Sequence, residues 1–196
     1  MHAADEVAFA CRYFPEIHVD IEDGVVVQGI SFGMKMWKGI RKIATVPASL
    51  HLEVLQPLDY LEDIKSAVPE TVFIQTDHLQ NPEEVVTAFL NEGINTGIAI
   101  GDRDLHRNYD KIYQMTNKVL VCTAEHSDPD QKYRQYLEDA AVELADKGMD
   151  VWIDGGVNRD IYQRLSGSRI KAAVMGRGVF ADKERAVAEY CGGEQK

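Results

Sequence analysis

The chain has 196 residues, a length that favours a single domain, residues 1–196, on the usual prior of about 150 residues per domain. Its 21 Lys and Arg against 32 Asp and Glu give a formal net charge of −11, which argues against nucleic-acid and anionic-membrane partners because both need a basic face. We find no apolar run near the ~20 residues that span a bilayer, no secretory signal, and three scattered cysteines that fit neither a disulfide framework nor a metal knuckle. We therefore expect a cytoplasmic enzyme or binding domain.

In chain order, a first helix is followed by short apolar strands that alternate with helices. The predicted strands are residues 16–20, 49–54, 72–75, 96–100, 118–122, 150–153 and 172–175. The predicted helices are residues 3–14, 34–43, 58–68, 82–92, 105–115, 131–147, 159–165 and 182–191.

This alternation predicts a parallel sheet covered by helices. An eight-fold β/α barrel has the same alternation, but it begins with a strand and usually has about 250 residues, with a lower end near 200. We therefore predict a TIM-type β/α barrel that lacks its first strand. The alternative, an open doubly wound sheet, usually carries a Gly-rich turn after its first strand, and no such turn follows the first strand here. The absent strand would leave one position in the barrel wall empty, with an unpaired edge on each side. We expect a dimer to cover this gap. The alternatives are a barrel closed with seven strands, or an extra short strand that fills the position.

Histidines and acidic residues occupy every second position along two predicted strands, where they alternate with apolar residues. An aspartate lies at the end of a third strand. Because side chains alternate across a strand, His18 and Asp20 share a face with Glu22, and His51 shares one with Glu53. A third strand ends at Asp154. In barrel enzymes the carboxyl ends of the strands carry the active site. The pattern therefore predicts an inward site for one divalent metal such as Zn²⁺, Mn²⁺ or Fe²⁺, whereas separate solvated loop residues are the plainer interpretation.

Glycines follow the last two predicted strands. Gly155 and Gly156 come after Asp154, and Gly176-Arg177-Gly178 follows the final strand. In barrels the loops at these positions commonly bind phosphate through backbone amides, and an arginine can add a charged contact. We predict phosphate binding by Gly155, Gly156, Gly176 and Arg177, although each glycine pair alone is also typical of an ordinary turn.

Several segments together resemble the ribulose-phosphate 3-epimerases, in order along the chain. They are HVDIEDG at residues 18–24, ISFG at 30–33, HLEV at 51–54, VLVCTAE at 119–125, DGGV at 154–157 and VMGRGVF at 174–180. The resemblance implies a β/α barrel whose one divalent metal, which could also be Co²⁺, is bound by His18, Asp20, His51 and Asp154. It further implies that Asp20 and Asp154 are the catalytic base and acid on opposite faces of the sugar.

The chain also departs from that family around the substrate. Glu22, Glu53 and Cys122 stand where the family usually has Met, which makes the surroundings of the reacting carbon more polar. Residues 126–130 read HSDPD where a Gly-rich phosphate loop is expected, and residues 75–77 read QTD in place of His-x-Glu. The residues that match the family's metal ligands are thus retained, whereas most of the residues that would surround the substrate differ from those of the family.

Our leading hypothesis is a metal-dependent 3-epimerase of a ketose phosphate that works through an enediolate, with a pentulose 5-phosphate first and a hexulose 6-phosphate next. Asp20 would remove the proton at carbon 3 and Asp154 would return one to the opposite face. The second hypothesis is a non-catalytic, metal- or ligand-binding barrel, which the missing strand and the altered surroundings favour. Turnover of a sugar without phosphate is a third, suggested by Asp128 and Asp130.

Overall fold

The computed structural model describes residues 3–31, 33–125, 130 and 132–191. The strands are β1 (Ile17–Glu22), β2 (Ala48–Glu53), β3 (Val72–Gln75), β4 (Thr96–Ile100), β5 (Lys118–Cys122), β6 (Asp150–Asp154) and β7 (Ala172–Val174). The α-helices are α1 (Ala3–Tyr13), α2 (Met34–Ile43), α3 (Leu61–Lys65), α4 (Pro82–Asn91), α5 (Asp110–Met115), α6 (Gln135–Asp146), α7 (Arg159–Leu165), α8 (Arg177–Phe180) and α9 (Lys183–Tyr190). Short 3₁₀ turns cover Pro57–Tyr60 and Asp102–Asp104.

The seven strands form one parallel sheet in the order β1-β2-β3-β4-β5-β6-β7. Each strand pairs with the next along the chain, so the sheet curls into a nearly closed β/α barrel. The predicted TIM-type β/α barrel is confirmed, with seven parallel strands in the described residues. No pairing of β7 with β1 is found among these described residues.

Alternation along each strand separates two packing layers. On the outer face, Val19, Leu50, Ile74 and their equivalents pack against the helices in one large buried core. The interior holds a smaller cluster in which Phe73 and Trp152 lie 5.2 Å apart between ring centroids. This is the two-residue period expected of strands, and it directs the polar residues of β1 and β2 inward with the interior cluster.

The first helix links the two ends of the sheet. It packs against β1 and α2, which follow it in the chain. It also reaches the last two helices, since the rings of Phe9 and Phe180 lie 6.3 Å apart between centroids and Lys183 Nζ lies 2.6 Å from Glu6 Oε2. The Cys191 thiol donates to the Tyr13 carbonyl at 3.3 Å. The first helix therefore connects the two sides of the gap between β1 and β7.

Three predicted helix boundaries need correction. The helix predicted from residue 105 begins at Asp110 because the preceding segment folds around the buried carboxylate of Asp104, which accepts bonds from the Tyr109 hydroxyl and the Gly101 amide. The helix predicted from residue 131 begins at Gln135. The helix predicted over residues 58–68 is shorter, since it starts as a 3₁₀ turn. No helix in the described ranges has both the length and the hydropathy to cross a membrane.

Candidate metal centre

Three of the four predicted ligands lie side by side on two paired strands. His18 and Asp20 lie on β1, and Asp20 is in register with His51 on β2. His51 is fully buried. β2 is hydrogen-bonded to strands on both sides, so the sheet fixes the backbone position of His51, whereas β1, which carries His18 and Asp20, pairs with β2 alone in the described sheet.

The fourth predicted ligand comes from the far side of the barrel. Asp154 is the last residue of β6 and is in register with Cys122 on β5. One ligand atom from each of His18, Asp20, His51 and Asp154 lies within 4.8 Å of the others. The structure thus brings together the four residues that the sequence predicted as ligands.

The distances inside the cluster suit an ion more than direct hydrogen bonds. Asp20 Oδ1 lies 3.5 Å from both His18 Nε2 and His51 Nδ1, which is longer than a normal hydrogen bond. His18 Nε2 and Asp20 Oδ1 are buried atoms that have no hydrogen-bond partner among the described residues. Two imidazoles and two carboxylates are donors typical of Zn²⁺, Mn²⁺, Fe²⁺ or Co²⁺, so the residues present fit a divalent metal.

The site is strongly polarised. Burial by itself would raise the pKa of Asp20, but the contacts with His18 and His51 outweigh it and lower that pKa. Burial would lower the pKa of His51, yet the carboxylates of Glu53, Asp20 and Asp154 raise it to about 9. The carboxylates therefore already favour a positive charge at this site, and a bound divalent cation would supply that charge.

The remaining inward residues surround the cluster without joining it. Glu53 is fully buried and its Oε2 lies 3.9 Å from His51 Nδ1, whereas Glu22 is half-buried at the end of β1. Burial and the carboxylates of Asp154, Glu53 and Asp20 raise the pKa of the Cys122 thiol. The three positions that depart from the methionines implied by the resemblance thus hold a neutral thiol and two acidic side chains.

The four predicted phosphate-binding residues line one cleft of about 380 Å³ that also reaches Asp154. Gly155 has a φ of +100°, and a Cβ there would lie 2.8 Å from the Ala124 amide nitrogen, so only glycine lets this loop approach so closely. Arg177 is exposed at the mouth of the cleft. Asp130 also lines the cleft, but residues 126–129, and Asp128 with them, lie outside the described residues.

Two polar neighbours of the histidines were missed as site residues from sequence. Ser49 Oγ lies 3.0 Å from His18 Nδ1, and Gln75 Oε1 lies 2.9 Å from His51 Nε2. Both occupy inward positions of the two-residue period, on β2 with His51 and on β3 with Phe73. That alternation was the signal that could have identified them.

The fold and the His/Asp cluster together define the general class of this protein. It is a nearly closed parallel β/α barrel with a candidate metal centre at the carboxyl ends of its strands. The family model described as the ribulose-phosphate 3 epimerase family matches residues 1–180. The chain therefore belongs to the ribulose-phosphate 3-epimerase family.

The relatives are distant but extend over most of the chain. It is 22% identical to a ribulose-phosphate 3-epimerase of Helicobacter pylori, covering 96% of this chain and 89% of the relative. It is 20% identical to that of Bacillus subtilis, with 90% and 85% covered. Among solved structures, N-(5'-phosphoribosyl)anthranilate isomerase from Pyrococcus furiosus has a TM-score of 0.65 at 14% identity, with 95% and 91% covered, which shows the shared fold.

Proposed function

We propose that the protein is a metal-dependent 3-epimerase of a ketose phosphate, with ribulose 5-phosphate and xylulose 5-phosphate as the first substrate pair and a hexulose 6-phosphate as the next. The observation that carries the proposal is the convergence of four ligand atoms within 4.8 Å at the strand ends. The glycine-lined cleft reaches the same Asp154, so a phosphate held there would keep its sugar beside the cluster.

In this proposal His18 and His51 are metal ligands only, while the two aspartates also move protons. A bound divalent cation would supply stabilisation of the negative charge that develops on the substrate oxygens. Asp20 would accept the proton from carbon 3, as an ionised carboxylate can. Asp154 would give a proton to the opposite face and so invert the centre.

The phosphate end of the substrate would lie at the β6 and β7 loops. Positive φ values at Gly155 and Gly156 bend the loop after β6 so that it lines the cleft. Backbone amides there, together with those near Gly176, could donate to phosphate oxygens, and Arg177 would add a charged contact. Binding of the phosphate would position carbon 3 and orient it toward the aspartates.

A second candidate is a metal- or ligand-binding barrel without catalysis. The observation that favours it is Glu53, a fully buried carboxylate 3.9 Å from a nitrogen of His51. The family usually has an apolar side chain there. An additional negative charge in a buried site opposes the build-up of negative charge on a substrate.

One experiment separates the two candidates. The protein is loaded in turn with Mn²⁺, Fe²⁺, Co²⁺ and Zn²⁺ under anaerobic conditions and incubated in D₂O with ribulose 5-phosphate, allulose 6-phosphate or unphosphorylated ribulose. NMR then follows deuterium entry at carbon 3. Exchange with a phosphorylated ketose is the expected result. Metal binding without exchange on any sugar would contradict the epimerase and support the non-catalytic barrel.

We also propose that the chain forms a homodimer that covers the edges of β1 and β7. Unpaired strand edges present backbone groups that favour association. Light scattering coupled to size exclusion should give twice the chain mass at micromolar concentration. A stable monomer would contradict the dimer and would mean that the contacts of α1 are enough to protect the gap.

A further inference from the structure

We propose that Gln75, held in place by Asp77, is a positioning residue that decides which ring nitrogen of His51 faces the metal. The inference rests on the proposed metal-dependent function and deepens it, since Gln75 is outside the set of four ligands. The side chain lies at the end of β3 and is 4% exposed. Its amide can therefore act on the histidine with little competition from water.

The direction of the Gln75 amide follows from its neighbour. Gln75 Nε2 lies 3.3 Å from Asp77 Oδ1, and an ionised carboxylate can only accept hydrogen bonds. The amino group must face Asp77, because the reverse orientation would place the amide oxygen against the carboxylate. Asp77 is itself held by His78 and Arg103, each with a nitrogen 3.4 Å from one of its oxygens.

The orientation of the Gln75 amide then determines which ring nitrogen of His51 carries the hydrogen. Gln75 Oε1 faces His51 Nε2 at 2.9 Å, so this nitrogen carries the hydrogen and donates it. When the ring is neutral, the lone pair is on Nδ1, which lies 3.5 Å from Asp20 Oδ1 on the side of the cluster. The Asp77–Gln75–His51 chain therefore presents Nδ1 to the metal. Outer partners of this kind orient ligand histidines in metal sites.

The tautomer of His18 is the opposite of that of His51, and a different neighbour determines it. The Ser49 hydroxyl donates to the Ile17 carbonyl at 3.4 Å, so its oxygen is left to accept from His18 Nδ1 at 3.0 Å. The lone pair of a neutral His18 is then on Nε2, which lies 3.5 Å from Asp20 Oδ1. The two ligands thus offer different nitrogens, and changes at Ser49 and Gln75 act as matched controls for each other.

The test compares the full chain with the variants Gln75→Leu, Gln75→Glu and Ser49→Ala. Zn²⁺ affinity is measured by competition with a chelator, and the histidine nitrogens of the Zn²⁺-loaded proteins are observed by ¹⁵N NMR. In the unchanged protein, His51 should bind Zn²⁺ through Nδ1 and keep a proton on Nε2, and His18 should show the reverse.

Gln75→Leu should weaken Zn²⁺ binding about 10–100-fold and alter the Nε2 signal of His51 but not the signals of His18. Gln75→Glu keeps an acceptor for His51 Nε2 but places its second oxygen against Asp77, so it should restore only part of the affinity, whereas Ser49→Ala should alter only His18. Binding of His51 through Nε2, or an affinity for Gln75→Leu within twofold of the unchanged protein, would overturn the inference. So would a Gln75→Glu variant that folds normally but binds as weakly as Gln75→Leu.

The failure of this inference is distinct from the failure of the proposed function. If the unchanged chain binds no Zn²⁺, both the metal centre and the role of Gln75 are wrong. If it binds Zn²⁺ with the expected nitrogens but exchanges no proton on any ketose phosphate with any of the metals, only the epimerase proposal fails.

Discussion

The two strand pairs that build the site differ in how firmly the sheet holds them. β1 and β2 are in register over six residue pairs, and every residue of β2 is buried. β6 and β7 share three pairs, and all of β7 is half-buried at the end of the sheet. The first pair carries three of the proposed ligands, and the second carries Asp154 and the glycine-lined cleft. The β1–β2 pairing is therefore longer and more buried than the β6–β7 pairing, and the cleft lies on the β6–β7 side.

This difference has a simple physical cause. β2 has a hydrogen-bonded neighbour on each side and apolar residues against the helices, so its backbone has little freedom. β7 has one neighbour in the described sheet and precedes a four-residue helix. We expect changes at the proposed ligands of β1 and β2 to abolish metal binding and activity, and changes in the loops after β6 and β7 to have smaller, separable effects.

The largest expected effect is at Asp20. Asp20→Asn should reduce proton exchange at carbon 3 by roughly 10³-fold or more, because an amide cannot accept the proton. Metal content must be measured with activity, since the same change removes a ligand. Asp59→Asn, at an exposed carboxylate in the 3₁₀ turn after β2, is the control and should behave as the unchanged protein. Exchange near the original rate in Asp20→Asn would show that Asp20 is not the base.

The next effect is at the phosphate cleft. Arg177→Ala should raise KM for a phosphorylated ketose about 10-fold or more and change kcat much less, because a charge-assisted contact is worth about 1.5–3 kcal/mol. Arg169→Ala removes an exposed arginine that lies 3.5 Å from Asp146, outside the cleft, and serves as the control. Steady-state kinetics measure both. Equal KM values for the two variants would remove Arg177 from the phosphate site.

A stability effect is expected at Gly155. Gly155→Ala should lower the free energy of unfolding by about 2 kcal/mol, because the alanine would need a positive φ and its Cβ would meet the Ala124 backbone at 2.8 Å. Gly39→Ala is the matched control on α2, where an added Cβ meets no atom within 4 Å and alanine should be neutral or slightly stabilising. Urea denaturation monitored by circular dichroism measures both. A Gly155→Ala variant as stable as Gly39→Ala would contradict the close approach.

The smallest effect concerns the contact between α6 and α7 beside β6. Arg164 donates to Glu138 at 2.5 and 2.8 Å, which lowers the pKa of Glu138 to about 2 despite its burial. Because the pKa of Glu138 in the folded protein lies below the ordinary glutamate value of 4.5, the contribution of this ion pair to stability is present above pH 4.5 and is lost as pH falls toward 2.

Glu138→Gln should therefore cost about 1 kcal/mol at pH 7, and the difference from the unchanged protein should narrow below pH 4. Urea denaturation across this pH range measures it, with the exposed Glu143→Gln on the same helix as the control. A difference that is constant from pH 7 to pH 3 would show that lost packing, not charge, causes the effect.

Alternation along single strands was enough to predict the inward side chains of β1 and β2. His18, Asp20 and His51 could be assigned because their apolar neighbours so clearly form the outer face. The alternation of seven strands with helices likewise predicted the seven-stranded barrel. These features depend on the local alternation of polar and apolar residues, which can be determined from the sequence alone.

Contacts between distant strands could not be predicted in the same way. The bond from His51 to Gln75 joins residues 24 positions apart and depends on the β2–β3 register, which spacing does not reveal. The start of α5 was wrong because a buried Asp104 organises the segment before it. The link from α1 to α9 joins the two ends of the chain, and no local pattern indicates it.

The most direct test of the central claim is a calorimetric titration of Mn²⁺ into metal-free protein, compared with the His51→Ala variant. One ion per chain in the unchanged protein, and binding weakened by at least 100-fold in the variant, is the predicted result, because removal of a buried ligand leaves an incomplete site. Absence of stoichiometric binding, or equal binding by both proteins, would contradict a metal centre at the β1, β2 and β6 strand ends.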